Sequence, residues 1–104
     1  MASKINLTEL SFLVYGLGST GKSVVNFFNK NNIQNYYVWD EKNKNLFKKK
    51  RSLNLKKNLK KVDYIVLSPG ISLKKAKNKK QLIKYKKKII TDIDLIYLSQ
   101  KFKK

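Results

Sequence analysis

The sequence has no cysteine and no histidine among its 104 residues, and it has only one proline and four glycines. The missing thiols and imidazoles exclude thiol nucleophiles, zinc clusters and imidazole acid–base chemistry from this chain. Since no disulfide can form, a cytoplasmic location is our default expectation. No apolar run approaches the ~20 residues of a membrane span, and the N-terminus lacks the long apolar stretch of a signal peptide, so we expect no membrane partner.

Acidic residues are also scarce, with 6 against 25 basic residues and a formal net charge of +19. Such a charge raises the possibility of a nucleic-acid binder, because neutralisation of phosphates drives non-specific binding. However, Arg51 is the only arginine, and lysine lacks the planar bidentate fork that reads bases and phosphates. The lysines are spread over 48–61, 74–88 and the C-terminal tail. We therefore interpret them as a solvated surface and expect no nucleic-acid partner.

Apolar residues make up 41% of the sequence, which is enough for one hydrophobic core and argues against intrinsic disorder. Four short apolar runs predict buried parallel strands at Phe12–Tyr15, Tyr36–Trp39, Tyr64–Leu67 and Lys88–Thr91. Helices are predicted at Ser19–Asn31, at Leu55–Leu59 after an Asn54 cap, at Lys79–Lys87, and at Asp92–Gln100 after a Thr91 cap. This alternation predicts one α/β domain with a Rossmann-like, doubly wound, mainly parallel sheet flanked by helices.

Helical spacing also predicts which side chains face the core. In the first helix these are Val24, Val25, Phe27 and Phe28. In the third helix we expect Leu82, Ile83 and Tyr85 to be buried. In the last helix we expect Ile93, Ile96 and Tyr97 to point inward.

The segment Gly16–Ser23 (GLGSTGKS) fits two phosphate-binding motifs at once. As G-x-G-x-x-G it is a Rossmann loop, in which glycines allow a tight turn, a close approach to phosphate and close helix packing. As G-x-x-x-x-G-K-S it is formally a P-loop, with Lys22 on the phosphates and Ser23 on magnesium. Even Asp40, after the second strand, could be the magnesium-binding acid of such a site.

Three observations favour the Rossmann interpretation. Gly16 and Gly18 follow the strand directly, as the tight Rossmann turn requires. Asp40 lies 19 residues beyond Gly21, close to the roughly 20 expected for the acid that ends the second strand. The remaining parts of a nucleotide hydrolase are not apparent, and Lys22 is then a surface lysine on the helix. Two simpler alternatives remain open: the glycines form a turn without a ligand, and Asp40 caps the turn that follows it.

The sequence Ser68-Pro69-Gly70 stands at the carboxyl end of the third predicted strand. In a doubly wound sheet that edge faces the same crevice as the glycine loop and Asp40. By itself the tripeptide is equally typical of an ordinary turn.

Four stretches in order resemble the N-terminal domain of the Mur ligases of peptidoglycan synthesis, in particular the UDP-N-acetylmuramoyl-L-alanine:D-glutamate ligases. They are VYGLGSTGKS at 14–23, VWD at 38–40, IVLSPGI at 65–71 and ITDIDL at 90–95. The likeness covers nearly the whole chain. The first stretch is common to many folds, but its pairing with SPGI and ITDIDL is more specific.

The resemblance implies a domain that holds the UDP part of UDP-N-acetylmuramoyl-L-alanine. The backbone around Gly18, Ser19 and Thr20 would face the diphosphate, at a helix N-terminus that favours anions. Asp40, Glu41 and Lys42 would line the uridine, although the family often has Thr or Ser and then Arg after the acid. Ser68, Pro69 and Gly70 would close the pocket over the diphosphate and sugar.

The family enzymes continue into a central ATP-binding domain and a C-terminal domain for the incoming amino acid. We therefore expect residues 1–104 to form a single UDP-binding domain that is inactive alone, has no catalytic residues and binds no metal or cofactor. ATP and magnesium are implied for the full-length enzyme. We expect a monomer whose partner is the small-molecule substrate. The alternative is an NAD(P)-binding domain of an oxidoreductase or a ligand-sensing module.

Overall fold

The structure, a computed structural model, describes residues 7–68 and 76–102. These residues form four parallel strands: β1 (Phe12–Tyr15), β2 (Tyr36–Trp39), β3 (Tyr64–Leu67) and β4 (Ile89–Ile90). The strand order is β2-β1-β3-β4, so β1 and β3 are central. The first three strands are found at their predicted bounds, and β4 is one residue shorter at each end than predicted. The sheet confirms the predicted α/β Rossmann-like architecture.

The helices in this part of the chain are α1 (Ser19–Lys30), α2 (Leu55–Lys61), α3 (Lys79–Lys84) and α4 (Asp92–Phe102). Two predicted caps are confirmed. The Asn54 side chain accepts a hydrogen bond from the Lys57 N–H, at 3.1 Å. Thr91 and Asp94 form a reciprocal capping box, in which each side chain accepts from the other residue's N–H at 3.2 and 3.0 Å.

The core lies on both faces of the sheet because the residues of β1 alternate between the two faces and are all buried. Phe12 and Val14 pack with side chains from α1 and with Leu95 of α4. Leu13 and Tyr15 pack with side chains from α2 and α3 on the opposite face. The sheet is therefore covered on both sides, and its carboxyl edge is left to form a site.

The predicted inward face of α4 is wrong. Ile93 is 72% exposed and Tyr97 64% exposed, and Ile96 is also exposed, whereas Leu95 is 1% exposed and packs in the core. Apolar side chains occur at five of the six positions 93–98, so the spacing does not select one face. The face is instead set by how α4 packs against the sheet and α1.

The third helix also differs from its prediction. Ile83 is 51% exposed, although Leu82 is buried as expected and Tyr85 is partly buried against the core. The helix ends at Lys84, and a 3-10 turn over Lys86–Lys88 leads the chain into β4. Adjacent side chains of a helix point about 100° apart, so the face that buries Leu82 turns Ile83 toward solvent. Among the helices of the described residues, none combines the length and apolarity that crossing a bilayer requires.

Candidate functional site

A cleft of about 440 Å³ lies at the carboxyl edge of the sheet, where β1, β2 and β3 end. We call it the nucleotide cleft. It brings together seven of the nine predicted site residues, which are Gly18, Ser19, Thr20, Asp40, Glu41, Lys42 and Ser68. The other two, Pro69 and Gly70, lie outside the described residues. Tyr15, Gly16 and Asn43 complete the lining.

The backbone and its packing constrain the three glycines of the loop in different ways. Gly16 has a φ of 101°, a backbone conformation that favours glycine. A Cβ on Gly21 would lie 1.9 Å from the Gly16 carbonyl oxygen, so helix α1 can only approach the loop with glycine there. Gly18 has an ordinary φ of −72°, and a Cβ there would meet nothing within 4 Å. The backbone and its packing therefore require glycine at Gly16 and Gly21, whereas at Gly18, the N-cap of α1, glycine is suitable but not required.

Helix α1 begins directly at the cleft, with Gly18 as its N-cap and no side chain capping its first turn. Its first N–H groups and its dipole favour an anion at this end. Lys22 is exposed in the first turn of α1 and is not among the described residues that line the cleft. This placement is the one that the Rossmann interpretation predicts for Lys22.

Asp40 joins the end of β2 to the glycine loop. Its Oδ2 accepts a hydrogen bond from the Leu17 N–H at 2.6 Å, and its Oδ1 accepts from the N–H groups of Lys42 and Asn43 at 2.8 Å each. Burial raises the pKa of the Asp40 carboxyl, but these N–H donors outweigh it and the net pKa is lowered. Asp40 therefore does cap its own turn, and it holds the loop in place as well.

Glu41 is part of a hydrogen-bonded network that the sequence did not predict. Its Oε2 accepts from the Tyr15 hydroxyl at 2.5 Å and from the Lys77 N–H at 3.0 Å, while the Asn78 amide donates to the Tyr15 hydroxyl at 3.0 Å. Burial, followed by the bond to Glu41, raises the pKa of Tyr15 to about 12. The position of Tyr15 beside the glycine loop was a signal for its role. Asn78, 63 residues away, gave none.

Ser68 is buried and donates from its Oγ to the Gly16 carbonyl oxygen at 2.9 Å. This bond ties the end of β3 to the start of the glycine loop. Because its hydroxyl proton is already donated within the protein, Ser68 lines the cleft without a donor to offer a ligand.

No group of three or more acidic, histidine or cysteine side chains that could hold a metal ion occurs within residues 7–68 and 76–102. The described cleft offers backbone N–H groups, hydroxyl and amide side chains, one lysine, and two carboxylates already engaged in hydrogen bonds. Such a set can bind and orient a phosphorylated ligand.

Comparison with known proteins identifies the family to which the chain belongs. Residues 10–91 match the family model described as Mur ligase MurD-like, N-terminal domain. Searches of curated proteins and of solved structures found no significant match. The matched range includes all four strands and every described residue that lines the nucleotide cleft. Mur ligases are ATP-dependent enzymes of peptidoglycan synthesis that bind UDP-sugar peptide substrates. Since the match spans more than half of the sequence, the chain belongs to the MurD-like N-terminal domain family of the Mur ligases.

Proposed function

We propose that this chain binds the UDP part of UDP-N-acetylmuramoyl-L-alanine and serves the ligase that adds D-glutamate to it. The diphosphate lies at the start of α1, and the uridine lies against the turn formed by Asp40, Glu41 and Lys42. The observation that carries this proposal is Gly18, a glycine that the fold does not require at the mouth of the cleft.

The missing side chain of Gly18 leaves space at the mouth of the cleft. Glycine loses more conformational freedom on folding than other residues, so an unneeded glycine destabilises the fold. Since a Cβ at Gly18 would meet only open space, the missing side chain leaves room for a ligand. A diphosphate can then approach the N–H groups of Ser19 and Thr20 closely.

The charges around the cleft support an anionic ligand. Lys42 is exposed at the edge of the cleft and is positioned to contact a phosphate or the ribose. The chain as a whole carries +19, which raises the local concentration of any anion.

The uridine is assigned to the second-strand turn. Three N–H groups already bond to the Asp40 carboxylate, and a carboxylate has about four lone-pair sites, so one remains for a ligand donor. Glu41 is tied through Oε2 to Tyr15 and Lys77. Among the described residues Glu41 is bonded through Oε2 alone, so both carboxylates keep an acceptor site, and we assign Asp40 and Glu41 together to the uridine.

We assign ATP and magnesium to parts of the ligase other than this domain. No residue of this chain is proposed as catalytic. Its contribution is to anchor the nucleotide end of the substrate, so that the peptide end is presented elsewhere for ligation.

Calorimetric titration tests the proposal. The chain is titrated with UDP, UDP-N-acetylmuramate, UDP-N-acetylmuramoyl-L-alanine, NAD and ATP at 50 and 300 mM salt. We expect the uridine ligands to bind selectively at both salt concentrations, with UDP-N-acetylmuramoyl-L-alanine the tightest. Preference for NAD would support the oxidoreductase alternative. If every nucleotide binds equally at 50 mM salt and this binding is lost at 300 mM, the positively charged surface attracts anions nonspecifically.

The matched variants are Gly18→Val and Asn26→Val, the second on the exposed side of α1. Both substitutions place valine at an exposed position, one at the N-cap of α1 and the other within α1. Gly18→Val is expected to abolish UDP binding because its side chain occupies the phosphate position, while Asn26→Val binds like the parent. Unchanged UDP affinity in a folded Gly18→Val variant would remove the glycine loop from the site.

A further inference from the structure

A second cleft, of about 450 Å³, lies next to the nucleotide cleft and shares the Glu41 side chain with it. We call it the indole cleft. Its main lining residues are Trp39, Glu41, Lys44, Arg51, Leu53 and Lys77. None of them except Glu41 has a part in the function proposed above.

The charged groups of the indole cleft are mostly cationic. Lys44 and Lys77 are exposed and Arg51 is partly buried. The one carboxylate, Glu41, already accepts two hydrogen bonds on Oε2. Leu53 is 98% exposed at the same cleft. The arrangement favours an anionic group, with an apolar surface beside it.

The Trp39 indole N–H has no acceptor within residues 7–68 and 76–102. Its Nε1 is enclosed by the protein, and an unpaired buried polar group is costly. The Arg51 guanidinium lies over the indole ring at 4.3 Å and donates to the Asp40 carbonyl oxygen at 3.0 Å. Arg51 is thereby held at the ring with further N–H donors available from its five.

We propose that the indole cleft binds an anionic oxygen group, a carboxylate or a phosphate, through Arg51, Lys44 and Lys77. The group comes either from a free small anion or from a molecule whose other end occupies the nucleotide cleft, because Glu41 lines both. The site does not depend on which nucleotide the neighbouring cleft takes.

Trp39 is the only tryptophan, so its fluorescence reports on this cleft directly. The probe is inorganic phosphate, titrated at constant ionic strength so that screening does not change. The variant is Lys44→Gln/Lys77→Gln. The control, Lys30→Gln/Lys87→Gln, removes the same charge at exposed positions outside the cleft. We expect a saturable response in the parent and the control, and an apparent affinity about three- to tenfold weaker in the variant.

Circular dichroism and thermal melting establish that each variant is folded, and Lys44 and Lys77 are exposed, so their side chains can be changed without loss of core packing. Equal weakening in the variant and the control would overturn the proposal, because it would show diffuse charge only. The absence of any saturable response in the parent would overturn it as well.

The Gly18→Val variant separates this site from the nucleotide cleft. A phosphate response that persists in Gly18→Val and weakens in Lys44→Gln/Lys77→Gln supports the indole cleft, whatever the fate of UDP binding. A response lost in Gly18→Val and unchanged in the double variant would overturn the proposal, since phosphate would then occupy the glycine loop.

The last arm repeats the titration with saturating UDP. An unchanged phosphate affinity assigns the site to a free anion. If saturating UDP weakens phosphate binding that still depends on Lys44 and Lys77, the site takes an anionic group of a larger ligand that spans both clefts. Both outcomes retain the anion site and differ only in the source of the anion.

Discussion

The floor and the rim of the nucleotide cleft differ in what their residues do for the fold. By the floor we mean Gly16, Asp40 and Ser68 of the lining together with Gly21, which packs against Gly16 beneath them, and by the rim we mean Gly18, Ser19 and Lys42. The floor residues hold the loop together through close packing and hydrogen bonds within the protein. The rim residues are exposed. A single phosphate-binding motif therefore contains residues under two separate constraints, stability and ligand binding.

This difference is most direct between two glycines of the same motif. Gly21 has no room for a Cβ, whereas Gly18 has open space around the position of a Cβ. If this division into floor and rim is correct, variants of the floor residues lose stability. Variants of the rim residues lose ligand affinity and keep their stability.

The largest expected effect is that of Gly21→Ala. Its Cβ would lie 1.9 Å from the Gly16 carbonyl oxygen, so α1 has to move away from the loop. We expect a loss of more than about 3 kcal/mol in the free energy of unfolding, at the upper end of overpacking effects. Gly18→Ala is expected to change that free energy by less than about 1 kcal/mol. Urea unfolding followed by circular dichroism measures both.

The two alanine variants are matched in chemistry and differ only in position. Equal destabilisation of both would contradict the division into floor and rim. A stable Gly21→Ala variant would mean that the helix can shift at little cost.

The next effect is that of Asp40→Ala, which removes the acceptor of three N–H groups. The N–H of Leu17, a buried residue, would then lack its partner. We expect a loss of about 1–3 kcal/mol in the free energy of unfolding, the usual cost of an unsatisfied buried donor. Urea unfolding at pH 7 measures it, with Asp92→Ala at the start of α4 as a control acid. Because Asp40 also keeps one acceptor site for the ligand, we expect UDP affinity to fall as well, and unchanged stability would remove Asp40 from the floor.

The pH dependence of stability gives a smaller effect from the same carboxyl. The pKa of Asp40 is lowered in the folded state, so its contribution is present above the unfolded pKa of about 3.9. The contribution is lost as the pH falls through the folded pKa. The parent is therefore expected to lose stability more steeply than Asp40→Asn as the pH falls below about 4. Urea unfolding at several pH values measures the two slopes, and parallel slopes would contradict this assignment.

Much of the fold could be predicted because the signals are local. The runs FLVY, YYVW and YIVL are apolar and bounded by glycine, proline or polar residues, which fixed three strands to the residue. The cap at Asn54 was also local. The inward face of α4 could not be predicted, because five of the six positions 93–98 are apolar and only the tertiary packing selects Leu95.

The candidate site likewise has a part that the sequence predicts and a part that only the fold reveals. The glycine spacing and the position of Asp40 are sequence signals, and the structure brings them together at one cleft. The network of Tyr15, Glu41 and Asn78 depends on contacts across 26 and 63 residues. No spacing rule covers such distances, so only the fold reveals that Glu41 is bonded within the protein.

The smallest expected effect on stability is that of Lys42→Gln, at the rim. The backbone N–H of Lys42 bonds to Asp40, and the substitution keeps that bond because it changes only the exposed side chain. We expect the free energy of unfolding to stay within about 0.5 kcal/mol of the parent. UDP affinity is expected to fall about threefold at 50 mM salt and less at 300 mM, because an exposed ammonium contact is weak and screened. Calorimetry measures the affinities, with Lys30→Gln as the control of equal charge. If both variants weaken UDP binding equally, Lys42 contributes only to the overall field of the protein, and the rim reduces to the backbone of Gly18, Ser19 and Thr20.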